Sequence, residues 1–276
     1  MPAAATGAAT DPAWLVPDWP VPARVRAVCT TRAGGVSGAP WDTLNLGSHV
    51  GDSPASVAAN RAWLREATGA QPVFLRQVHG THALDLDTLL PPAGEVSDAV
   101  EHEADACFTT VARRACTIMV ADCLPVLLAD RAGTRVGAAH AGWRGLAGGV
   151  LESLVHPFRP PHAAGTAEAD LVAWLGPCIG PRAFEVGGEV LAAFTLSDPD
   201  AAACFVAHPH TPGKWLADLP ALARRRLAAA GVAAVYGNDG GDGWCTVAKP
   251  SLFFSHRRDA GRLGSTGRMA ACIWLA

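Results

Sequence analysis

A mixed fold of strands and helices in one domain is what this 276-residue sequence predicts, and three observations point to it. Continuous apolar runs such as Cys116–Ala121 and Val126–Ala129 have the length of strands and no polar face, as strands covered on both sides require. Between such runs lie segments whose apolar residues recur every three or four positions, the spacing of a helix with one buried face. Half of the residues are hydrophobic and 17% are charged, enough apolar material for a sizeable core. No internal repeat and no linker divides the chain, so one domain over residues 13–276 is expected after a ragged tail at 1–12.

Taken in order, Val25–Thr31 reads as the first strand. Arg32–Pro40 is turn chemistry, glycine being the residue that takes positive φ without a Cβ clash. Asn45–Asp52 continues as an ordered loop. Ser53-Pro54 opens a helix in which Val57, Arg61 and Leu64 share a face and Gly69 is the stop. Pro72–Val78 reads as a strand ending at His79-Gly80, and the polar interval 85–104 as a surface excursion. The runs Cys116–Ala121 and Val126–Ala129 are parted by Asp122-Cys123-Leu124-Pro125. Pro125 has no N–H to give to a ladder, so the chain is expected to bend or change partner there. After a turn at Arg131–Thr134, the strand beginning at Val136 delivers His140 to a glycine-flanked turn. Leu146, Val150, Leu151, Leu154, Val155 and Phe158 then follow helical spacing until Pro160-Pro161 ends the pattern. Leu171–Leu175 is a further strand. Helices are expected near 187–195 and 216–230, Val232–Tyr236 is extended, and Ile273-Trp274-Leu275 closes a last strand.

Several function classes are excluded by composition. A net charge of −3 gives no case for a nucleic-acid or membrane surface. No run approaches the roughly 20 apolar residues that span a bilayer, and Met1–Thr10 lacks the basic leader of a signal peptide, so the cytosol is expected. The eight cysteines show no regular spacing and read as reduced thiols in the core. Asn238–Gly243 hints at a calcium loop but lacks the terminal glutamate. The nine tryptophans are scattered without the periodicity of a base-stacking platform. Nothing in the pattern fixes an oligomeric state.

Three residues stand at comparable places: His79 just past a strand, Cys123 between two, and His140 at the end of another. Two imidazoles and a thiolate suit Zn²⁺, and three protein ligands leave a fourth position open for chemistry. Their wide separations match no zinc-finger spacing, so only a folded scaffold could bring them together. The same residues also read as two packed histidines and a buried thiol. Alternatively, Cys123 and His140 form a nucleophile–base pair oriented by Asp122 or Asn45. A copper site with Met119 as a weak axial ligand is a further reading, although Met119 lies in a buried-looking strand. Asp122, beside Cys123, is either an acceptor for a ligand histidine, a general base, or a strand-end carboxylate bonded to nearby N–H groups. The helix N-terminus after Gly142 would favour an anion, with Arg144 in its first turn as a second contact.

Thr30–Ser37, Leu44–Gly47, Gln77–Gly80, Ala121–Val126, His140–Gly145, Leu175–Pro177 with Ile179–Pro181, Phe184–Gly187 and Thr266–Met269 occur as ordered blocks. In these blocks the chain resembles the YfiH-like, laccase-domain family, also called multicopper polyphenol oxidase-like or peptidoglycan editing factor proteins. The resemblance implies an α+β fold, a central mixed β-sandwich flanked by helices in α/β/β/α layers. It implies a Zn²⁺ site at the positions that match here as His79, Cys123 and His140, beside which Asp122 stands, from its place next to Cys123, as the candidate catalytic acid or base. It implies phosphorolysis of adenosine, inosine or methylthioadenosine to base and ribose 1-phosphate, with adenosine deamination. The alternatives it carries are a peptidoglycan precursor-editing amidase and, from the older family label, a copper polyphenol oxidase. Its partners are then small molecules, a purine nucleoside and phosphate, for which Arg32, Asn45 and Arg144 are the candidate contacts. The chain departs from the family pattern at the longer 237–245 loop, at His256 where tyrosine is common, and at extra residues 261–264.

Overall fold

Strands with two apolar faces need two covers, and the computed structural model, which describes residues 14–89, 101–159 and 170–276, supplies both. The elements run β1 (Val25–Cys29), α1 (Pro54–Thr68), β2 (Gln71–Val73), β3 (Leu75–Arg76), β4 (Ala83–Asp85), β5 (His102–Glu103), β6 (Ala106–Thr109), β7 (Arg114–Val120) and β8 (Leu124–Asp130). They continue with β9 (Val136–Ala141), α2 (Trp143–Gly148), α3 (Val150–Val155), β10 (Leu171–Leu175), β11 (Glu185–Gly187), α4 (Gly188–Thr195) and β12 (Phe205–Ala207). Last come β13 (Lys214–Ala217), α5 (Leu219–Ala229), β14 (Ala234–Gly237), α6 (His256–Leu263) and β15 (Met269–Leu275). A four-stranded sheet, β1-β15-β7-β2, packs on a six-stranded one, β14-β10-β8-β9-β6-β4. Both contain parallel and antiparallel pairs.

The alternation of side chains along each strand assigns the layers. Cys116, Ile118 and Val120 of β7 meet Leu127 and Ala129 of β8 between the sheets, in one cluster with alternate residues of β15. Ala115 and Met119 of β7 point the other way, into a cluster with Leu64 of α1 and Leu44, Leu46 and Phe74. Leu124, Val126 and Leu128 of β8 face α3 and α5 through Leu151, Leu154, Leu222 and Leu227. Both sheets are therefore sandwiched, which is why their strands read as unbroken apolar runs. The α+β layering forms as the resemblance implies.

Local signals placed several helix ends. Pro54 opens α1 as an N-terminal proline, and Gly69 closes it at φ 63° with its N–H on Arg65 O at 3.0 Å. The Asp218 carboxylate caps α5 by accepting from Ala221 N. Other expectations are corrected. The strand expected at 72–78 is two pieces in different sheets, β2 beside β7 and β3 beside β5. The long helix after His140 breaks at Gly149, φ 105°, into the six-residue α2 and α3 followed by a 3₁₀ turn at His156–Phe158. The helix expected from 216 starts at Leu219 because 214–217 is β13 of a three-stranded sheet, β11-β13-β12, that no alternation announced. α6 was not anticipated: only Asp259 on it is buried, so it lacks an apolar stripe. The sheet change between β7 and β8 falls at Asp122, φ 95°, rather than at Pro125. Pro125 pairs opposite His140, whose N–H turns away to Asp105 O, so that ladder loses no bond. The 85–104 interval keeps Leu86 buried in a short turn. Its middle, the 1–12 tail and the Pro160-Pro161 stop lie outside the described residues. All eight cysteines are free thiols, six of them buried. Among the described residues no helix is long and apolar enough to cross a membrane.

Leu127 is fully buried between the two sheets. Leu127→Ala is expected to lower the unfolding free energy by about 2–5 kcal/mol, through lost burial and a cavity that two rigid sheets cannot close. Urea denaturation with an unchanged m-value is the measurement.

Candidate metal centre

The site is built around a buried acid, Asp105, that belongs to none of the sequence motifs above. Asp105, on the short step from β5 to β6, is fully buried. Its carboxylate accepts the main-chain N–H groups of Val78 at 3.1 Å, His79 at 2.9 Å and Gly80 at 2.6 Å. It also lies 2.8 Å from His140 Nδ1. Its own carbonyl accepts His140 N at 2.7 Å. Those bonds hold His79 at φ 61°, in the left-handed region that is uncommon for residues with a Cβ. They also set the tautomer of His140: Nδ1–H donates to the acid and Nε2 is left to bind. Burial works against the Asp105 charge, and the hydrogen bonds from His140 and the Gly80 N–H outweigh it, keeping the carboxyl below its ordinary range.

The two imidazoles then meet edge to face, centroids 4.8 Å apart at 73°. Cys123, at the crossing between sheets, brings Sγ to 3.8 Å from His79 Nε2. One donor atom from each of His79, Cys123 and His140 lies within 4.8 Å of the others. Tetrahedral zinc with ordinary Zn–N and Zn–S bonds would put such atoms roughly 3.3–3.6 Å apart, a spacing the Cys123–His79 pair nearly has and toward which the wider separations must close around an ion. Two imidazoles and a thiolate with one side open to a cavity are the donors of a three-ligand site. The charges agree. Burial opposes a Cys123 thiolate, but the His140 charge and hydrogen bonds from both histidines prevail and bring the thiol down to about 6. Burial likewise opposes a charged His140, and the Cys123 thiolate and Asp105 raise it to about 9.

Glycine makes room for this cluster. A Cβ on Gly142 would lie 2.8 Å from His79 Cδ2 and 3.0 Å from Cys123 Sγ, and one on Gly145 would meet Gly80 O at 2.7 Å. The start of α2 thus rests directly on the ligands. The cluster forms the floor of a cavity of about 350 Å³. Trp143, Ile179, Phe184 and Leu219 give it an apolar wall, and Arg144, Arg257, Arg268, His49 and His256 line its polar side. Arg144 lies over the Trp143 ring, 4.4 Å from its centroid. Arg257 donates to the carbonyls of Ala183 and Glu185, and Arg268 to those of Thr266 and Gly267. None of the three arginines has a carboxylate partner among the described residues.

The remaining sequence candidates fall elsewhere. Asp122 lines the cavity but is not the acceptor for a ligand histidine; Asp105 is. Asp122 instead takes the Thr246 hydroxyl at 2.5 Å and the Arg257 N–H at 2.6 Å, tying the start of α6 to the crossing. Arg32 and Asn45 do not reach the cavity. The Arg32 guanidinium lies over Phe254 and is bound by Asp42 and Pro250 O. Asn45 is fully buried, its amide bonded to Gly47, Asp52 and the Arg268 N–H. Both are scaffold for the turns they sit in. Met119 reaches the cavity wall, yet its sulfur accepts from Arg61 Nη2 at 3.9 Å. His49, Asp105 and Arg268 were not proposed as site residues. Only the general need of a metal-bound imidazole for an acceptor could have suggested an acid such as Asp105, without saying which.

Residues 26–276 match the family described as multi-copper polyphenol oxidoreductase laccase. A Pseudomonas aeruginosa protein named as a purine nucleoside phosphorylase is 49% identical over 263 residues, 95% of this chain and 98% of its own. The purine nucleoside phosphorylase YfiH of Escherichia coli is 49% identical with the same coverage. Among solved structures, a Neisseria meningitidis protein is similar with a TM-score of 0.82 and 45% identity, over 95% of this chain and 98% of its own. YlmD of Geobacillus stearothermophilus follows with a TM-score of 0.80 and 33% identity over 92% of each chain.

Asp105→Asn keeps the volume but puts an NH₂ among donors. Metal affinity is expected to fall about 10–100-fold, read by chelator competition. In metal-stripped protein the Cys123 thiolate persists above pH about 6 and is lost as pH falls through that value. Iodoacetamide should therefore label Cys123 with a midpoint near 6 rather than near the ordinary thiol value, and labelling should stop once metal is restored.

Proposed function

The chain belongs to the multi-copper polyphenol oxidoreductase laccase family, and we propose that it is a zinc-dependent purine nucleoside phosphorylase with adenosine deaminase activity. In this reading residues 13–276 are one catalytic domain working in the cytosol on adenosine, inosine or methylthioadenosine. The observation that carries it is one cavity combining a His₂Cys donor set, an apolar wall and three arginines that have no carboxylate partner among the described residues. Relatives that match nearly end to end bear the name purine nucleoside phosphorylase, which supports the same substrate class.

Zn²⁺ held by His79, Cys123 and His140 would supply Lewis-acid polarisation and water activation at the cavity floor. The purine lies against Trp143, Ile179, Phe184 and Leu219, whose burial area excludes water from one side of the nucleoside. Arg144, Arg257 and Arg268 hold phosphate, the polar side of the cavity carrying the positive charge that an incoming anion needs. The phosphate seat thereby moves from Arg32, which is bound in its own turn, to the cavity arginines. The short α2 contributes less than a long helix would, because the break at Gly149 limits the aligned dipole. Zinc is preferred to copper because the Met119 sulfur faces Arg61 instead of standing free as an axial ligand.

Metal-loaded protein incubated with adenosine should release adenine and ribose 1-phosphate only when phosphate is present, and inosine with or without it. Chromatography of the products reads both. Zinc-loaded protein that turns over no purine nucleoside would sink the proposal. Release of an amino acid from a muramoyl nucleotide, without nucleoside turnover, would replace it with the precursor-editing amidase.

A further inference from the structure

We propose that His49 is a catalytic proton relay of this cavity, taking the hydroxyl proton of bound phosphate and passing it to the departing purine. The inference rests on the phosphorolysis proposed above and names a residue for which that reading has no role.

Phosphorolysis moves a proton as well as a sugar. One phosphate oxygen bonds to C1′ while the C1′–N9 electron pair leaves on the purine. The phosphate hydroxyl must shed its proton, and the purine anion must gain one. A single group that accepts the first and delivers the second balances the reaction with no other reactant. Such a group needs a free nitrogen, a place beside the phosphate cations, and a fixed position.

Asp122, the acid next to the thiolate in sequence, is committed to other bonds, its two oxygens taking the Thr246 hydroxyl and the Arg257 N–H. His49 is open in the ways Asp122 is not. It lines the same cavity as the His₂Cys cluster and Arg268. No described residue hydrogen-bonds its ring, and the influences on its charge are burial and the nearby Arg268, Glu101 and Arg61. His49 is exposed on its outer side, and burial of the rest of the ring first, then Arg268, lowers its basicity below the ordinary histidine range.

The loop carrying His49 is held unusually firmly for a surface connection. On one side Asn45 clamps Gly47 and the Arg268 N–H, and Leu46 N bonds Arg268 O at 3.0 Å. On the other, Val50 O accepts the Trp41 indole N–H at 3.1 Å and the Ser265 hydroxyl at 2.6 Å, while Asp52 accepts Ser37 at 2.6 Å. The clamp therefore locks the His49 loop and the Arg268 backbone to one another. Gly47 is required for that approach, because a Cβ there would lie 2.7 Å from Arg268 Cγ. His256, the other imidazole on the wall, sits on the first turn of α6, outside the backbone clamp that joins the His49 loop to Arg268. The base and the cation that phosphorolysis needs together are His49 and Arg268.

The test uses metal-loaded protein and the variants His49→Ala and His49→Gln, with adenosine and inorganic phosphate. Expected is a fall in kcat of about 100-fold or more, with metal content and nucleoside KM unchanged. Added imidazole should restore part of the His49→Ala rate, and the acid limb of the kcat profile should vanish. His49→Gln keeps an N–H group and most of the volume, so it decides the matter if His49→Ala does not fold. An unchanged kcat in either folded variant overturns the relay while leaving the phosphorylase reading intact. A rate loss that tracks metal loss or a raised KM, with no imidazole rescue, overturns it in favour of a positioning role. A loaded wild type inert toward every purine nucleoside overturns both proposals together.

Discussion

The carboxylate of Asp105 is the contact on which the site depends. A buried charge is tolerated only when its lone pairs are filled, and here three successive main-chain N–H groups and an imidazole fill them. The turn at 78–80, the ring orientation of His140 and the last step of the β6–β9 ladder are thereby one arrangement. Disturbing any of them leaves donors or a charge unmatched. A donor side chain on a strained turn would otherwise sample many positions; His79 is fastened by the same acid that orients His140.

The second constraint is spatial. The chain passes from the four-stranded to the six-stranded sheet between β7 and β8, and the crossing presents Cys123 at the open end of the sandwich. β9 returns antiparallel to β8 and brings His140 opposite Pro125. α2 then closes on this corner so tightly that Gly142 and Gly145 have no space for a methyl group. Asp122 spans the same corner from the other side, linking it to Thr246 and α6. Layers that exist to bury apolar strands thus also deliver the donors, and the cavity is the space left where they end.

Much of this was legible along the chain. The strands at the centre announced themselves because both their faces are covered, and α1 announced itself through Pro54 and Gly69. α6 and the β11-β13-β12 sheet did not, since their side chains are mostly polar or only partly buried and carry no clean period. His79, Cys123 and His140 were legible as donors at strand ends. Asp105 was not, because an acid 26 and 35 residues from the groups it serves leaves no local trace. Arg32 and Asn45 looked like pocket residues because they sit in glycine-rich turns with polar side chains. In the fold those side chains hold the turns themselves.

The sequence by itself determined the central apolar strands, the ends of α1 and the kinds of donor atom available, because burial periodicity and capping act over a few residues. Only the tertiary structure decided that two histidines and a thiol meet, which acid orients them, and which arginines face the cavity. Those outcomes depend on sheet register and on a crossing between layers. They couple residues far apart in the chain by direct contact, and no local preference encodes that.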